Sequence, residues 1–358
     1  MKKSINQSAV QSISKFFRLP AEFEKHEATW IGWPFNKSDW PGKFSPIPWV
    51  YGEIVRYLSI GEKVRILVQD EKEKQKAIRV LKSVQADLTN IEFYIIKTDR
   101  NWLRDAAPQF VKDEKGITNL IKFKFNAWAK YDNYKLDAKI PEFISKKINL
   151  DIHTATFNNK PVVLEGGAID YNGSGTLITT EECLMDDKTQ VRNPGFSKKD
   201  YEEVFKKYLG IENVIWLKKG IVGDDTHGHV DDITRFVNTN TVVTAVEKNP
   251  KDDNYKNLLE NKEILLGSTL HDGSKLNVVD LPMPSPVIFK GQRLPASYAN
   301  FYISNYAVLV PTFNDENDRK ALGILSELFP DRKVIGIHAV DLVWGLGTIH
   351  CLTHEQIL

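Results

Sequence analysis

Cysteine is scarce: the 358 residues hold two, Cys183 and Cys351. So few thiols, so far apart, exclude a disulfide framework and make a reducing, cytoplasmic setting the expectation. Long apolar runs are also missing. None approaches the roughly 20 residues of a spanning helix, so no membrane partner is expected. Charge of one sign is not in excess either. A net charge of +1 provides no strong field for nucleic acid or an anionic bilayer. Residues from Met1 to Arg18 mix polar and apolar types, without an apolar h-region or a cleavage site, and are not expected to be a secretory signal. Residues 1–17 read as a loosely ordered lead-in and 18–358 as one catalytic domain. What is present, 42% hydrophobic and 27% charged residues, is the balance of a soluble globular protein.

Periodicity shows the organisation. Ala28 to Trp33 reads as a strand halted by Pro34, Tyr51 to Ile60 as a helix and Val64 to Val68 as a buried strand. Ala77, Val80, Leu81 and Val84 recur at helical spacing before a strand from Ile91 to Ile96. A unit then repeats. Two strands flank Asp113–Gly116, followed by a helix at Pro141–Ile148 and a strand at Ile152–Phe157. Val162–Tyr171 and Thr176–Thr180 flank Asn172-Gly173-Ser174-Gly175, a hairpin signal. A helical stripe of Tyr201, Val204, Phe205, Tyr208 and Leu209 and a strand at Val214–Leu217 come next. Ile233–Val237, Val242–Val246, a helix to Leu266 and a strand at Leu276–Leu281 form a third unit. Phe301–Ser304, Ala307–Pro311, a helix at Asp318–Phe329 and a strand at Val334–Ile337 form a fourth. A pattern of about 55–70 residues implies modules packed in series. Ala28 to Val68 would complete a fifth with the chain's last strand. The fold class expected is α/β, one closed domain of five strand–strand–helix–strand modules around a central pocket.

The residues able to do chemistry fall at equivalent places in these units. Cys351 follows Trp344-Gly345-Leu346-Gly347-Thr348, on what reads as a short strand beside a glycine-formed gap. An ordinary cysteine there would be a small buried hydrophobe, the role assigned to Cys183. A nucleophilic one needs a histidine to move protons and a carboxylate to orient that base or hold the substrate. His229 and Asp231 offer both within Gly228-His229-Val230-Asp231, on one face of an extended entry. His227, His229 and Asp231 also resemble the His-x-His-x-Asp run of metallo-β-lactamase-type hydrolases, a donor set for borderline metals. Asp105, in Trp102-Leu103-Arg104-Asp105, is either one half of an exposed ion pair or a carboxylate set beside the aromatic face of Trp102. The latter pairing suits a planar guanidinium. Glu165 precedes Gly166-Gly167 as a hairpin-start residue or as the acid that orients His229.

Together these segments resemble the agmatine deiminase and bacterial peptidylarginine deiminase family of the guanidino-group-modifying superfamily. The resemblance rests on Leu19-Pro20-Ala21-Glu22-Phe23, His26-Glu27-Ala28-Thr29-Trp30, Trp102-x-Arg104-Asp105, Glu165-Gly166-Gly167, Gly228-His229-Val230-Asp231 and Ile349-His350-Cys351. Arg192-Asn193-Pro194 and the run from Pro295 to Phe301 add to it. It implies a five-module pseudo-symmetric α/β propeller and a chemistry that needs no metal or organic cofactor. By the same resemblance Cys351 is the nucleophile and His229 the acid/base. Asp105 and Asp231 clamp the guanidinium, Glu165 supports the histidine, and Trp102 and Gly347 contact the substrate. The expected reaction is hydrolysis of agmatine to N-carbamoylputrescine and ammonia. Peptidylarginine deimination is the runner-up, ahead of a metallohydrolase or a non-catalytic guanidinium-binding protein. The expected partner is a small guanidino substrate, with a homo-oligomer possible. His227 and Gly345-Leu346-Gly347-Thr348 depart from the agmatine-type pattern.

Overall fold

The computed structural model describes residues 16–358, and the same small sheet recurs along them. Gln109–Asp113 runs antiparallel to Thr118–Lys122, which in turn lies parallel to Ile152–Thr154. The same order returns in Asp170–Tyr171, Thr176–Thr180 and Asn213–Leu217. It returns again in Thr234–Phe236, Thr241–Val246 and Asn277–Pro282, and in Tyr302–Ile303, Ala307–Thr312 and Lys333–His338. Each parallel step needs a crossover, supplied by the helices Ile140–Ile148, Lys198–Leu209, Tyr255–Leu266 and Glu316–Leu328. Their starts are set locally. Ser197 and Asp200 form a capping box, as do Asp315 and Asp318, satisfying backbone donors that the first turn leaves free.

A further sheet joins the two ends of the chain. Thr353–Ile357 pairs antiparallel with His26–Gly32, which continues parallel to Lys63–Val68 and then Ile91–Ile95. The helices Ile47–Gly61 and Glu71–Ser83 make these crossovers. Buried Trp30 donates its Nε1–H to Gln356 Oε1 at 3.0 Å across the junction. The sheets are mixed and the helices sit between them, a mixed α/β fold. Strand pleat divides the core: on Thr176–Thr180, Leu177 packs with Tyr201 and Phe205, and Ile178 with Phe236 and Leu258, as a period of two requires. No helix among the described residues is long and apolar enough to cross a membrane.

Four sequence expectations change. Residues 1–15 of the expected lead-in lie outside the described residues, and Phe17–Arg18 is already a strand paired with Lys112–Asp113. The strand expected at Ile152–Phe157 breaks at Ala155, and Thr156–Phe157 pairs instead with Lys160–Pro161. Val162–Tyr171 is extended in strand only at its end, because Gly166–Ala168 coils into a 3-10 turn. Cys351 sits not on a strand but on the four-residue helix Ile349–Leu352, with the strand beginning at Thr353. The buried Asn300 captures this turn through its side chain. Its Oδ1 accepts from Thr348 Oγ1 at 2.7 Å and from the His350 amide at 3.1 Å, a tertiary contact that overrides the β-branched residues around it.

Candidate active site

Asp105, Glu165, His229 and Cys351 each follow the last strand of a sheet, on a single turn of helix or 3-10 helix or at its start: Leu103–Ala106, Gly166–Ala168, Val230–Asp232 and Ile349–Leu352. Two glycines let these turns meet. A Cβ on Gly167 would lie 2.5 Å from His229 Nδ1 and 3.0 Å from both Asp105 Oδ1 and Asp231 Oδ2. One on Gly347 would lie 2.9 Å from the Trp102 ring and 3.2 Å from Cys351 Sγ. Both positions exclude a side chain because functional-looking groups already converge there. All seven residues singled out in the sequence therefore gather in one place.

The hydrogen bonds fix each group. Asp105 accepts from the Gly167 amide at 3.0 Å and from Trp128 Nε1 at 2.8 Å. His229 Nδ1 faces Asp105 Oδ1 at 3.9 Å, and its Nε2 faces Glu165 Oε2 at 3.8 Å. Neither ring nitrogen has a hydrogen-bond partner among the described residues, and Asp231 Oδ1 also has none. The Cys351 thiol points at Asp231 Oδ2, 3.7 Å away, and accepts from Asn300 Nδ2 at 3.1 Å. Trp102 stacks on Trp40 with ring centres 5.6 Å apart. Asp105, Trp102 and Cys351 line a cavity of about 450 Å³, together with Trp128, Trp344, Asp39, Arg100 and Asp225. His229, Asp231 and Glu165 are buried.

Charge is concentrated here and largely uncompensated. Burial, helped by Asp231 and Glu165, raises Asp105 to about 6 against the pull of His229. Burial disfavours a charged His229, but Asp105 in particular, with Glu165 and the Cys183 thiol, holds its pKa well above the ordinary imidazole value. Burial would raise Glu165 too, yet Arg192 and then His229 bring it to about 2. The Cys351 thiol is pushed well above its usual value by burial and by Asp231, Asp232 and Asp105. The site thus holds a thiol and an imidazolium among carboxylates, a setting that a cationic ligand would relieve.

Sequence reasoning passed over several contributors. Trp128 reaches Asp105 because Ala127, Trp128 and Ala129 all take left-handed backbone (φ 51°, 59° and 52°), a strained conformation that no composition signal marks. Asn300 and His350 lay inside quoted motifs without assigned roles. Among the described residues, Glu165, Cys183 and His229 form the group whose donor atoms lie close enough together, within 4.8 Å, to hold a metal. The His-x-His-x-Asp set is not gathered in this way: His227 turns to Asp186, at 2.8 Å. Arg192 braces Glu165 through Nε at 3.1 Å, and both side chains are fully buried. Removing one member of a buried ion pair leaves the other charge unpaired. Arg192→Ala is therefore expected to cost about 3–5 kcal/mol in urea unfolding. A loss below about 1 kcal/mol, the scale of an exposed pair, would show that the pair does not anchor Glu165.

With this geometry in view, the comparisons identify the chain's relatives. The family model for Porphyromonas-type peptidyl-arginine deiminase matches residues 18–356. The "Putative agmatine deiminase" of Latilactobacillus sakei subsp. sakei is 34% identical over 95% of both chains. Among solved structures, the agmatine deiminase of Enterococcus faecalis superposes with a TM-score of 0.86 at 30% identity, covering 95% of each chain. A cysteine-to-serine agmatine deiminase of C. jejuni with substrate bound gives 0.85 at 28% identity, covering 100% of this chain and 99% of that one. The chain is thus a deiminase by descent. It belongs to the Porphyromonas-type peptidyl-arginine deiminase family.

Proposed function

We propose that the protein is an agmatine deiminase, hydrolysing agmatine to N-carbamoylputrescine and ammonia through a covalent adduct on Cys351. The observation that carries this reading is the convergence of Asp105, Asp231, His229 and Cys351 on one buried point beside the cavity that Asp105 and Cys351 line. A guanidinium is planar, permanently charged and deactivated by resonance. Two carboxylates neutralise it and hold its central carbon against the thiol. The incoming cation offsets the carboxylates that hold the Cys351 thiol protonated, so as substrate binds the thiol releases its proton to solvent water and becomes the thiolate.

The thiolate then forms a C–S bond to the central carbon. His229 gives its proton to the departing nitrogen, the C–N bond breaks, and ammonia leaves an S-alkylthiouronium. Neutral His229, its charge distribution set by Glu165, next takes a proton from water. A C–O bond forms, the C–S bond breaks, and the ureido product leaves a free thiol. Every proton and electron pair stays among substrate, water, thiol and imidazole, so the scheme calls for no cofactor.

The cavity favours a substrate with a distal cation over one with a carboxylate. Three arginines able to pair with a substrate carboxylate are committed elsewhere. Arg104 pairs with Glu22 and Glu355, Arg192 with Glu165, and Arg293 with Asp252. Arg100 does line the cavity but is held by Asp39 at 2.8 Å and lies over Tyr131, while Asp225 at that wall is itself held by Lys130 at 2.6 Å and by the Tyr131 hydroxyl at 2.7 Å. Ammonia release measured side by side on agmatine, arginine and a C-terminal-arginine peptide tests the assignment. Agmatine is expected to lead in kcat/KM by about 10²-fold, the scale of the roughly 1–3 kcal/mol lost when a buried polar group is left unpaired. Equal or better use of the peptide would move the assignment to peptidylarginine deimination.

The same reading takes residues 18–358 as one domain of five strand–strand–helix–strand modules around this cavity. It is supported by the recurring antiparallel-then-parallel strand order and by the pairing of the last strand with His26–Gly32. A cytoplasmic setting and self-association belong to this proposal as well.

A further inference from the structure

The histidine beside the thiol is placed as a bridge. His350 is buried between two carboxylates: its Nδ1 lies 2.7 Å from Asp231 Oδ2 and its Nε2 lies 2.8 Å from Glu22 Oε2. Glu22 is itself immobilised. It accepts from the Ile303 amide at 2.8 Å and pairs with Arg235 at 2.9 Å and Arg104 at 3.1 Å. Those arginines are held in turn by Asp170 and Glu355. Such short contacts between imidazole nitrogens and carboxylate oxygens each require a proton, because a lone pair facing a carboxylate would be repelled. In the tautomer with hydrogen on Nδ1 the ring donates to Asp231.

We infer that His350 is the positioning residue of the substrate clamp, fixing Asp231 by one carboxylate oxygen so that the other faces the guanidinium. This rests on the deiminase reading above and goes beyond it, since it gives the residue a task in the same reaction. Asp231 Oδ2 is occupied by His350, and Asp231 Oδ1 is buried with no partner among the described residues, the state of an acceptor reserved for a ligand donor. A carboxylate on a short turn rotates freely about its terminal bond unless something grips it. The grip comes from the one-turn helix that also carries Cys351, so clamp and nucleophile share a frame. The frame reaches through Glu22 into the N-terminal segment. Preorganisation of this kind is what a reacting pair needs, because a displacement of about 1 Å can cost 10²-fold in rate.

Two amides separate positioning from mere filling of space. Asparagine places its N–H₂ near the imidazole Nδ1 site and can still donate to Asp231. Glutamine places it near the Nε2 site, keeping Glu22 but losing Asp231. With agmatine, His350→Gln is expected to lower kcat/KM by about 10²-fold, mostly through KM, because a uniform binding contact is lost. His350→Asn should stay within about tenfold of wild type. Calorimetric binding of agmatine to the Cys351→Ala protein, with and without each change, should show the same order and does not depend on turnover. Equal losses in the two variants, or a better Gln than Asn, would overturn the positioning role, since a structural role favours the longer side chain anchored on Glu22. Wild type that releases no ammonia from agmatine, arginine or a C-terminal-arginine peptide would remove the deiminase reading and the positioning role together. An active wild type with indistinguishable variants would remove the positioning role alone.

Discussion

Alanine at Cys351 is expected to end agmatine turnover while leaving agmatine binding measurable. Removing a nucleophile that works with a base typically costs on the order of 10⁵–10⁶ in kcat, and no second thiol is placed to substitute. Cys183 lies on the turn Glu181–Met185, close to Glu165 and His229, and does not line the cavity. Binding should persist because its main determinants, Asp105 and Asp231, belong to other turns. Each is fixed by partners the substitution does not touch: Gly167 and Trp128 for Asp105, His350 for Asp231. An acid-quenched mixture of wild type and agmatine should show one added amidine group, mapped to Cys351 by peptide mass. Residual activity above about one per cent in the variant, or an adduct mapped to Cys183, would move the nucleophile elsewhere. Binding by the alanine variant also carries a pH signature. Asp105, raised to about 6, must be ionised to hold a cation. Affinity for agmatine should therefore fall as pH drops through about 6 and level off above it.

How far the sequence led can be judged from particular residues. The strand pairs and crossover helices were legible because they are long enough for a period to register. Leu177 and Ile178, on opposite faces of one strand, and the Tyr201–Phe205–Tyr208 stripe are such cases. The site turns were not legible as structure. Leu103–Ala106 and Ile349–Leu352 are four residues each, below the length at which helix propensity means anything in isolation. They exist because of contacts distant in sequence, such as Asn300 with Thr348 and Arg104 Nε with the His350 carbonyl at 3.3 Å. The β-branched residues around Cys351 for that reason point to a strand where the chain forms a helical turn. Trp128 gave no signal because a run of left-handed non-glycine residues has no compositional mark. His350 could have been suspected, since a histidine between a nucleophile and an apolar residue on a buried turn must find partners. Their identity, Glu22 and Asp231, is visible only once the chain's two ends lie side by side.

Glutamine at His229 is expected to lower kcat for agmatine by about 10³-fold or more while changing KM little. General acid–base groups contribute about 10²–10⁴-fold each, and the proposed scheme uses this imidazole twice, as donor to the departing nitrogen and as acceptor from water. Glutamine fills similar space and keeps a polar end near Glu165, so the buried Glu165–Arg192 pair should survive and the protein should fold. It cannot titrate. Asp105 and the groups around it hold the wild-type imidazole protonated well above its ordinary pKa, which is the form the first half-reaction needs. Wild-type kcat should therefore decline on the alkaline side, as pH rises through the raised His229 pKa in the bound complex. The variant's residual rate should lack that decline. Losing the base also slows hydrolysis of the adduct, so the thiouronium on Cys351 should accumulate in the variant wherever its formation is the less affected step. The decisive measurement is kcat against pH for both proteins with mass analysis of quenched samples. A variant that keeps more than about a tenth of wild-type kcat, or that retains the alkaline limb, would show that another group moves these protons.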